Sequence, residues 1–249
     1  MTGWPGGVER RVLDSVDSTN AEAARIAPGL AGPCWIMAYR QTAARGRRGR
    51  AWANPEGNFA ATLLLRPDEP PAQAALRSFV AALALRDALL AVLPGLSGLS
   101  LKWPNDVLLN EGKVAGILLE SSGNGGRMDW IAIGIGVNLL SAPDPAALEA
   151  GATPPVSLAG ETGQRVTPDA LLDALAPAYD RWERQFATLG FAPIRTAWLA
   201  GAARLGQGIT ARTARDTLTG TFETVDEAGN LVLVTSSGRR AVPAAEIFF

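Results

Sequence analysis

The chain has 249 residues, 23 lysines and arginines against 24 acids, a formal charge of -1 and 47% hydrophobic residues, enough for one substantial globular domain plus a small one. It contains no histidine, and Cys34 is its one cysteine. Serine-histidine-aspartate hydrolysis, cysteine-histidine proteolysis, histidine-ligated zinc and an internal disulfide are thereby excluded, and the even charge argues against a general polyanion wrapper.

Residues 1–17 carry Glu9, Arg10, Arg11, Asp14 and Asp17 rather than a signal-peptide core, and no run reaches the roughly 20 apolar residues that span a bilayer. The expectation is a cytoplasmic protein without membrane contact. Asp17-Ser-Thr-Asn-Ala-Glu leads into a short helix, with Thr19 and Glu22 spaced as a capping box. Segments 35–39 and 58–65 read as strands. Between them, 41–57 is a polar loop rich in arginine and glycine, long enough to suggest a binding loop or lid.

Pro70-Pro71 precedes an alanine-rich helix over 72–92, with Leu76, Phe79, Val80, Leu83 and Leu90 inward and Arg77, Arg86 and Asp87 nearer solvent. Segments 99–103, 107–109, 114–120 and 129–138 are a strand series with a hairpin turn at Asn110-Glu-Gly112. Runs 115–119 and 130–137 are apolar on successive residues, which predicts cover on both faces of a sheet. Thr167-Pro168 starts a helix with an inward stripe of Leu171, Leu172, Leu175, Tyr179, Trp182 and Phe186, and Pro177 should kink or interrupt it. From Gly208 onward the short runs 209–214, 221–225, 231–235 and 240–242 predict a small β module that shares its apolar surface with the main domain.

The segment Arg40-Gln-Thr-Ala-Ala-Arg-Gly-Arg-Arg-Gly-Arg50 packs five arginines and no acid into eleven residues. By itself it is either a solvated basic loop or an anion site. Gly46 and Gly49 favour the second, because glycine brings backbone N–H groups close while arginine forks bind phosphate or carboxylate bidentately. One basic loop without a recognition helix points to a nucleotide rather than nucleic acid, so no direct DNA binding is expected.

A second block, Lys102-Trp-Pro-Asn-Asp-Val-Leu-Leu-Asn-Glu-Gly-Lys-Val-Ala-Gly-Ile-Leu-Leu-Glu120, sets Lys102, Asn105, Asp106 and Lys113 around a turn between strands. Asp106 is either an Mg2+ ligand, if ATP is used, or an ordinary turn residue; Lys113 either meets a ligand or snorkels. Ile133-Gly-Ile-Gly-Val-Asn138 lacks the third glycine and the following helix of a dinucleotide fingerprint, and no Walker A sequence occurs. Trp52 is either a core aromatic or a cover over a ligand.

Asp17-Ser18-Thr19-Asn20, the Gln41 to Arg50 loop with Trp52 and Pro55-Glu-Gly57, the Lys102 to Glu120 block, and Gly134-Ile-Gly-Val-Asn138 together resemble the catalytic domain of biotin protein ligases. Residues 208–249 resemble the small C-terminal domain of those enzymes. The resemblance implies an α+β fold, with a mixed-sheet catalytic domain over 1–205 and an SH3-like β-barrel over 206–249. It also implies a two-step reaction: biotin and ATP give biotinyl-5'-AMP and diphosphate, and a lysine of a biotin carboxyl carrier domain of acetyl-CoA or a related carboxylase then takes the biotinyl group and releases AMP.

By the same resemblance, Ser18, Thr19, Asn20 and Gln41 surround the biotin head group. Arg45, Gly46 and Arg47 hold the activated carboxylate and phosphate, and Arg48 supports the loop. Lys113 contacts carboxylate and α-phosphate, and Gly116 leaves backbone access beside biotin. Asn105 and Asp106 organise phosphates and Mg2+, with Asp106 the metal ligand; Trp52 covers the adenylate and Asn138 reads adenine. Sheet-edge homodimerisation is compatible with this picture.

Ala44 before Arg45 and Ala245 before Glu246 stand where the family usually has glycine. Only 17 residues precede Ser18, where bifunctional members carry a winged helix-turn-helix, so the chain looks like the monofunctional type. Lipoate or octanoate ligases and transferases are the nearest alternative. An acyl-cysteine route is disfavoured by the place of Cys34 at the start of an apolar strand, and a lipoate-adenylating enzyme by the particular arginine-loop and Lys-Trp-Pro-Asn-Asp sequences. A binding module that kept the pocket without turnover is the alternative from another class.

Overall fold

The structure, a computed structural model, describes residues 3–124, 126–144, 152–213 and 215–249. The chain runs β1 (Glu9–Val16), α1 (Thr19–Ile26), β2 (Cys34–Gln41), β3 (Phe59–Leu65), α2 (Pro71–Ala74), α3 (Arg77–Val92), β4 (Leu99–Lys102), β5 (Asp106–Leu109), β6 (Gly112–Asn124) and β7 (Arg127–Val137). It continues through α4 (Leu158–Thr162), α5 (Pro168–Leu189) and α6 (Phe191–Ala200) to β8 (Gly208–Arg212), β9 (Thr217–Val225), β10 (Leu231–Thr235), β11 (Gly238–Val242) and β12 (Glu246–Phe248).

A seven-stranded mixed sheet of order β1-β2-β3-β7-β6-β5-β4 forms the main layer, with β1 and β2 parallel and the other neighbours antiparallel. Helices α3, α5 and α6 lie together and α3 packs on β5, β6 and β7, while α1 packs on β2, β3 and β7. The central strands are therefore covered on both sides, as their successive apolar residues predict. Helix α3 is buried from Phe79 to Leu85 without a polar stripe because it is sandwiched between sheet and helices, where Phe79 meets Phe191 and Trp198 edge-on.

Several local expectations are corrected. Arg77, expected near solvent, is buried, holding Glu69 and Glu183 and lying over the Phe186 ring, whereas Leu90 is 40% exposed. Helix α5 runs through Pro177, and its Thr167 cap accepts from the Ala170 N–H as expected. The capping box at α1 does not form: Ser18 is the N-cap without a side-chain cap bond, Thr19 lies inside the helix, and Glu22 holds Arg25. The β-run expected over 209–214 ends at Arg212, and Ala214 lies outside the described residues.

The five-stranded C-terminal sheet, order β11-β10-β9-β8-β12, is not the SH3-like barrel that the resemblance implies. It is open, because β11 pairs only with β10 and β12 only with β8. Closure is unnecessary where another layer covers the apolar face. Ile209, Phe222, Val225, Leu231, Leu233, Val242 and Ile247 join the same buried cluster as α3 and the large sheet. The β9–β10 turn is wedged against that layer: Gly229, at φ +81, lies so close to Leu76 and Phe79 that a Cβ would reach Leu76 at 2.8 Å, and its carbonyl accepts from Trp103 Nε1 at 3.0 Å.

Candidate active site

One cavity of about 540 Å3 opens on the α1 side of the large sheet, and Ser18, Thr19, Asn20, Gln41, Arg45, Gly46, Arg47, Arg48, Trp52, Asn105, Asp106, Lys113, Gly116 and Asn138 all line it. Residues from distant stretches of sequence converge there because the ends of α1 and β2, the 42–58 loop, the β4–β5 turn and the adjacent strands β6 and β7 meet at one place.

The failed capping box has a consequence for the closed end. The hydroxyls of Ser18 and Thr19 are not spent on the helix start. Gln41 Oε1 accepts from the Thr19 backbone N–H at 2.8 Å, Asn20 Nδ2 donates to Glu120 Oε2 at 2.8 Å, and Thr62 Oγ1 lies 2.8 Å from Thr19 Oγ1 and 2.7 Å from Asn20 Oδ1. The two glycines of the Gly134-Ile-Gly136 run make room on the floor. A Cβ at Gly134 would lie 2.3 Å from Asn20 Oδ1, and one at Gly136 would lie 2.7 Å from Trp52 Nε1. Both point to the cavity side of β7, while Ile133 and Ile135 between and beside them enter the core. Close approach, not a phosphate turn, is what these glycines supply.

The arginine loop is a distorted hairpin. Arg45 and Ala51 form an isolated bridge, Gly46 N–H donates to Arg50 O at 2.7 Å, and Trp52 N–H to Ala44 O at 3.0 Å. Arg48 and Gly49 at its tip have φ of 56° and 73°; for Arg48 that left-handed conformation costs about 1 kcal/mol. Glu246, from β12, restrains the tip: its carboxylate lies 3.4 Å from Arg48, 2.8 Å from Arg50 and 2.7 Å from Arg212. Burial would raise that carboxyl, but the Arg212 hydrogen bond and the charges of Arg50 and Arg48 together hold it below the ordinary glutamate range.

At the β4–β5 end, Lys113 Nζ lies 2.7 Å from Asp106 Oδ1 and 5.5 Å from the centroid of the Trp52 ring. That Asp106 oxygen is buried and has no hydrogen bond, so the lysine meets it as an ion pair. Asn105 Oδ1 accepts from Arg47 at 3.4 Å, and its amide donates to Ile117 O. Burial lowers the Arg47 guanidinium below its usual value. Asn138 is 1% exposed; its Nδ2 donates to Val156 O at 3.1 Å, and its Oδ1 is buried without a hydrogen-bond partner among the described residues.

Sequence reasoning left several site residues unassigned. Lys102 is 7% exposed on the cavity wall, donates to Thr153 Oγ1 at 2.5 Å, and lies 4.5 Å from the Phe249 ring centroid. Burial pulls its ammonium below the ordinary lysine range. A lysine closing the short strand Leu99-Ser-Leu-Lys102, directly before Trp103-Pro104, was its signal. Gly136 and Glu246 also line the cavity, and the period-two glycines of β7 were legible as a strand face without side chains. Thr62 and Glu120 act from behind the wall and left no local signature. Among the described residues no three His, Cys, Asp or Glu side chains form a metal-binding group.

A mixed sheet bearing a cavity with apolar and charged walls, a glycine floor, an arginine hairpin and two lysines near one aspartate suits an anionic ligand that also carries an apolar part. The biotin/lipoate A/B protein ligase family matches residues 12–138, and the biotin protein ligase C-terminal domain matches 205–249. A biotin--[acetyl-CoA-carboxylase] ligase of Paracoccus denitrificans is 58% identical over 238 residues, 96% of this chain and 99% of that protein. The bifunctional ligase/repressor BirA of Bacillus subtilis is 32% identical over 85% of this chain and 65% of its own length. Among solved structures, a biotin protein ligase from Aquifex aeolicus in complex with biotin and ATP superposes with a TM-score of 0.80 at 26% identity, covering 96% of this chain and 97% of that one. The chain belongs to the biotin/lipoate A/B protein ligase family.

Proposed function

We propose that the protein is an ATP-dependent ligase that activates biotin as biotinyl-5'-AMP and transfers it to a lysine of a biotin carboxyl carrier domain, releasing AMP and diphosphate. The observation that carries this reading is the convergence, in one cavity, of a polar closed end, a glycine-floored slot and a cationic end. The 58% identity to the Paracoccus ligase over nearly both whole chains supports it.

Biotin's ring system lies at the closed end among Ser18, Thr19, Asn20 and Gln41. Its apolar tail runs along the floor at Gly116 and Gly136 beneath Trp52, where a side chain on either strand would block it. That course delivers the carboxylate to Arg45, Gly46, Arg47 and Lys113. In the first step a carboxylate oxygen bonds to the α-phosphorus, the bond from that phosphorus to the bridging oxygen breaks, and diphosphate leaves. The cations and the Gly46 N–H oppose the charge gathered on the phosphoryl oxygens, which is why a site without histidine suffices. Arg48 supports the loop. Asn138 Oδ1, a buried acceptor without a donor, suits the exocyclic amine of adenine. In the second step the carrier's ε-amine attacks the acyl carbon, the acyl–phosphate bond breaks, AMP leaves and the amine proton passes to solvent.

The donor set fits an Mg2+ that arrives on the nucleotide's phosphates and takes a single carboxylate, Asp106, with Asn105 beside it, better than a metal held by protein alone. When bound, the ion neutralises phosphate charge. Residues 1–205 form the catalytic unit in this reading and 206–249 a buttress, through Glu246 on the arginine loop and Gly229 on Trp103. The carrier domain of acetyl-CoA or a related carboxylase is the acceptor. No helix among the described residues is long and apolar enough to cross a membrane.

Exchange of labelled diphosphate into ATP, with biotin, lipoate and octanoate offered separately, tests the reading. Exchange with biotin is expected. Exchange only with lipoate or octanoate, or none with any acid, refutes it.

A further inference from the structure

We propose that Phe249 is a positioning residue for the nucleotide: the face of its ring caps the Lys102 ammonium and holds it for the phosphates without neutralising it. The inference rests on the ATP-dependent reading above. Phe249 follows β12, and its ring centroid lies 4.5 Å from Lys102 Nζ and 5.1 Å from the guanidinium carbon of Arg204. Two cations from different parts of the chain thus meet one ring.

Lys102 closes β4 opposite Asp106 of β5, but the Asp106 carboxylate holds Lys113 at 2.7 Å. Glu246, the other acid whose charge reaches Lys102, holds Arg48, Arg50 and Arg212. The close polar contact of the Lys102 ammonium among the described residues is the Thr153 hydroxyl at 2.5 Å, which accepts one of three N–H protons and brings no charge. An ammonium only 7% exposed with so little opposing charge is costly, and a lysine escapes that cost by swinging its flexible head to water.

The Phe249 ring, itself 45% exposed, covers the ammonium and attracts it at once. The negative potential of a ring face favours a nearby cation by about twofold to thirtyfold in equilibrium, most where water is excluded. A carboxylate in that place would cancel the charge that a polyphosphate needs, whereas a ring face leaves the remaining N–H groups to donate. The ring is held in turn. Arg204 is tied to Glu111 at 2.7 Å and to Gln207 at 3.2 Å, and none of these three lines the cavity. Thr153 sets where the ammonium points, and Phe249 keeps it from leaving. Because Lys102 shares its part of the wall with Asn105 and Asp106, the residues assigned to the phosphates, the cap bears on ATP and not on biotin.

The test is a double-variant cycle in biotin-dependent diphosphate exchange, with melting temperatures recorded for each protein. Phe249→Leu keeps apolar cover and removes the ring face, Phe249→Tyr keeps the face, and Lys102→Met removes the ammonium and keeps the length. Phe249→Leu should raise KM for ATP about threefold to tenfold, with kcat and KM for biotin within about twofold, and Phe249→Tyr should stay near the unsubstituted values. Lys102→Met should raise KM for ATP further, and adding Phe249→Leu to it should change nothing more, because the ring has lost its cation. A purely structural role of the ring would persist in that background. Unchanged KM for ATP in Phe249→Leu, equal behaviour of Phe249→Leu and Phe249→Tyr, a parallel rise in KM for biotin, or a full Phe249→Leu effect on top of Lys102→Met would overturn the role. Any of those results with biotin-dependent exchange by the unsubstituted protein sinks this inference alone, whereas silence of the unsubstituted protein with biotin sinks the functional reading and this inference with it.

Discussion

Replacing Lys113 by alanine separates the chemistry of the site from its stability. The lysine is the second residue of β6, and its Nζ lies 2.7 Å from Asp106 Oδ1, with side chains 28% and 16% exposed. Exposed pairs contribute about 0.2–1 kcal/mol and breaking a fully buried one costs about 3–5 kcal/mol, so this half-covered pair falls near 1–2 kcal/mol. For a chain of this size that lowers the melting temperature by roughly 2–8 °C. A preorganised cation opposing charge that develops on the phosphoryl group is worth about 100- to 1000-fold in rate. Single-turnover formation of biotinyl-5'-AMP should therefore fall by about two to three decades in a protein that remains folded at 25 °C. Adding Asp106→Ala to Lys113→Ala removes the stranded carboxylate, which should recover part of the stability and none of the rate. A folded Lys113→Ala protein that forms adenylate at the unsubstituted rate, or a double variant that regains the rate, would refute this role.

Glu246→Gln should free the arginine hairpin: trypsin cleavage at Arg45–Arg50 should accelerate about threefold to tenfold, since the two weak pairs that tie Arg48 and Arg50 down are lost at once, and an unchanged rate would contradict the anchor. Because the Glu246 carboxyl is held below its ordinary range, its contribution is complete above the usual glutamate value, near 4.3, and is lost as pH falls through the depressed one. The same loosening should thus appear in the unsubstituted protein only under acid conditions. Gly136→Ala puts a Cβ within 2.7 Å of Trp52 Nε1 and should raise KM for biotin at least about tenfold by closing the slot; a KM within twofold of normal would place the tail elsewhere. We expect the Lys102 ammonium on the cavity wall to meet the nucleotide's phosphates; since burial depresses it, KM for ATP should rise on the alkaline side before the ordinary lysine range is reached, and Lys102→Arg should remove that limb. A pH-independent KM for ATP up to the ordinary lysine range would remove Lys102 from phosphate binding.

The main sheet was legible from β2 to β7 because each strand carries its own apolar run, and the Thr167 cap and the Asn110-Glu-Gly112 turn follow from local chemistry. What escaped was decided by distant partners. Strand β1, ERRVLDSV, alternates weakly and is charged because it is an edge strand with a single neighbour, and β12 has three residues. Arg77 looked like a solvent residue because the acids that hold it, Glu69 and Glu183, come from outside its own helix. The open C-terminal sheet is the same lesson at larger scale. Alternating short strands announce an apolar face, and only the tertiary structure shows that the layer containing Leu76 and Phe79 covers it.

At the site, residue chemistry was readable and proton direction was not. Arginines, lysines and glycines signal themselves by type and spacing, and the cavity gathers every residue singled out from the four motifs for a binding or catalytic role. Thr62 has no such signal: in the run FAATLLL it looks like any β-branched strand residue. Its place beside Asn20 and Thr19 comes from the register that sets it opposite Gly134, where the missing side chain admits Asn20. The amide of Asn20 is fixed in turn by Glu120, which lies 100 residues away in sequence and whose second oxygen is 3.7 Å from Arg45 of the arginine loop. The wall behind the cavity is therefore a hydrogen-bonded cluster drawn from β3, α1 and β6, held together by partners that no single stretch of sequence brings together.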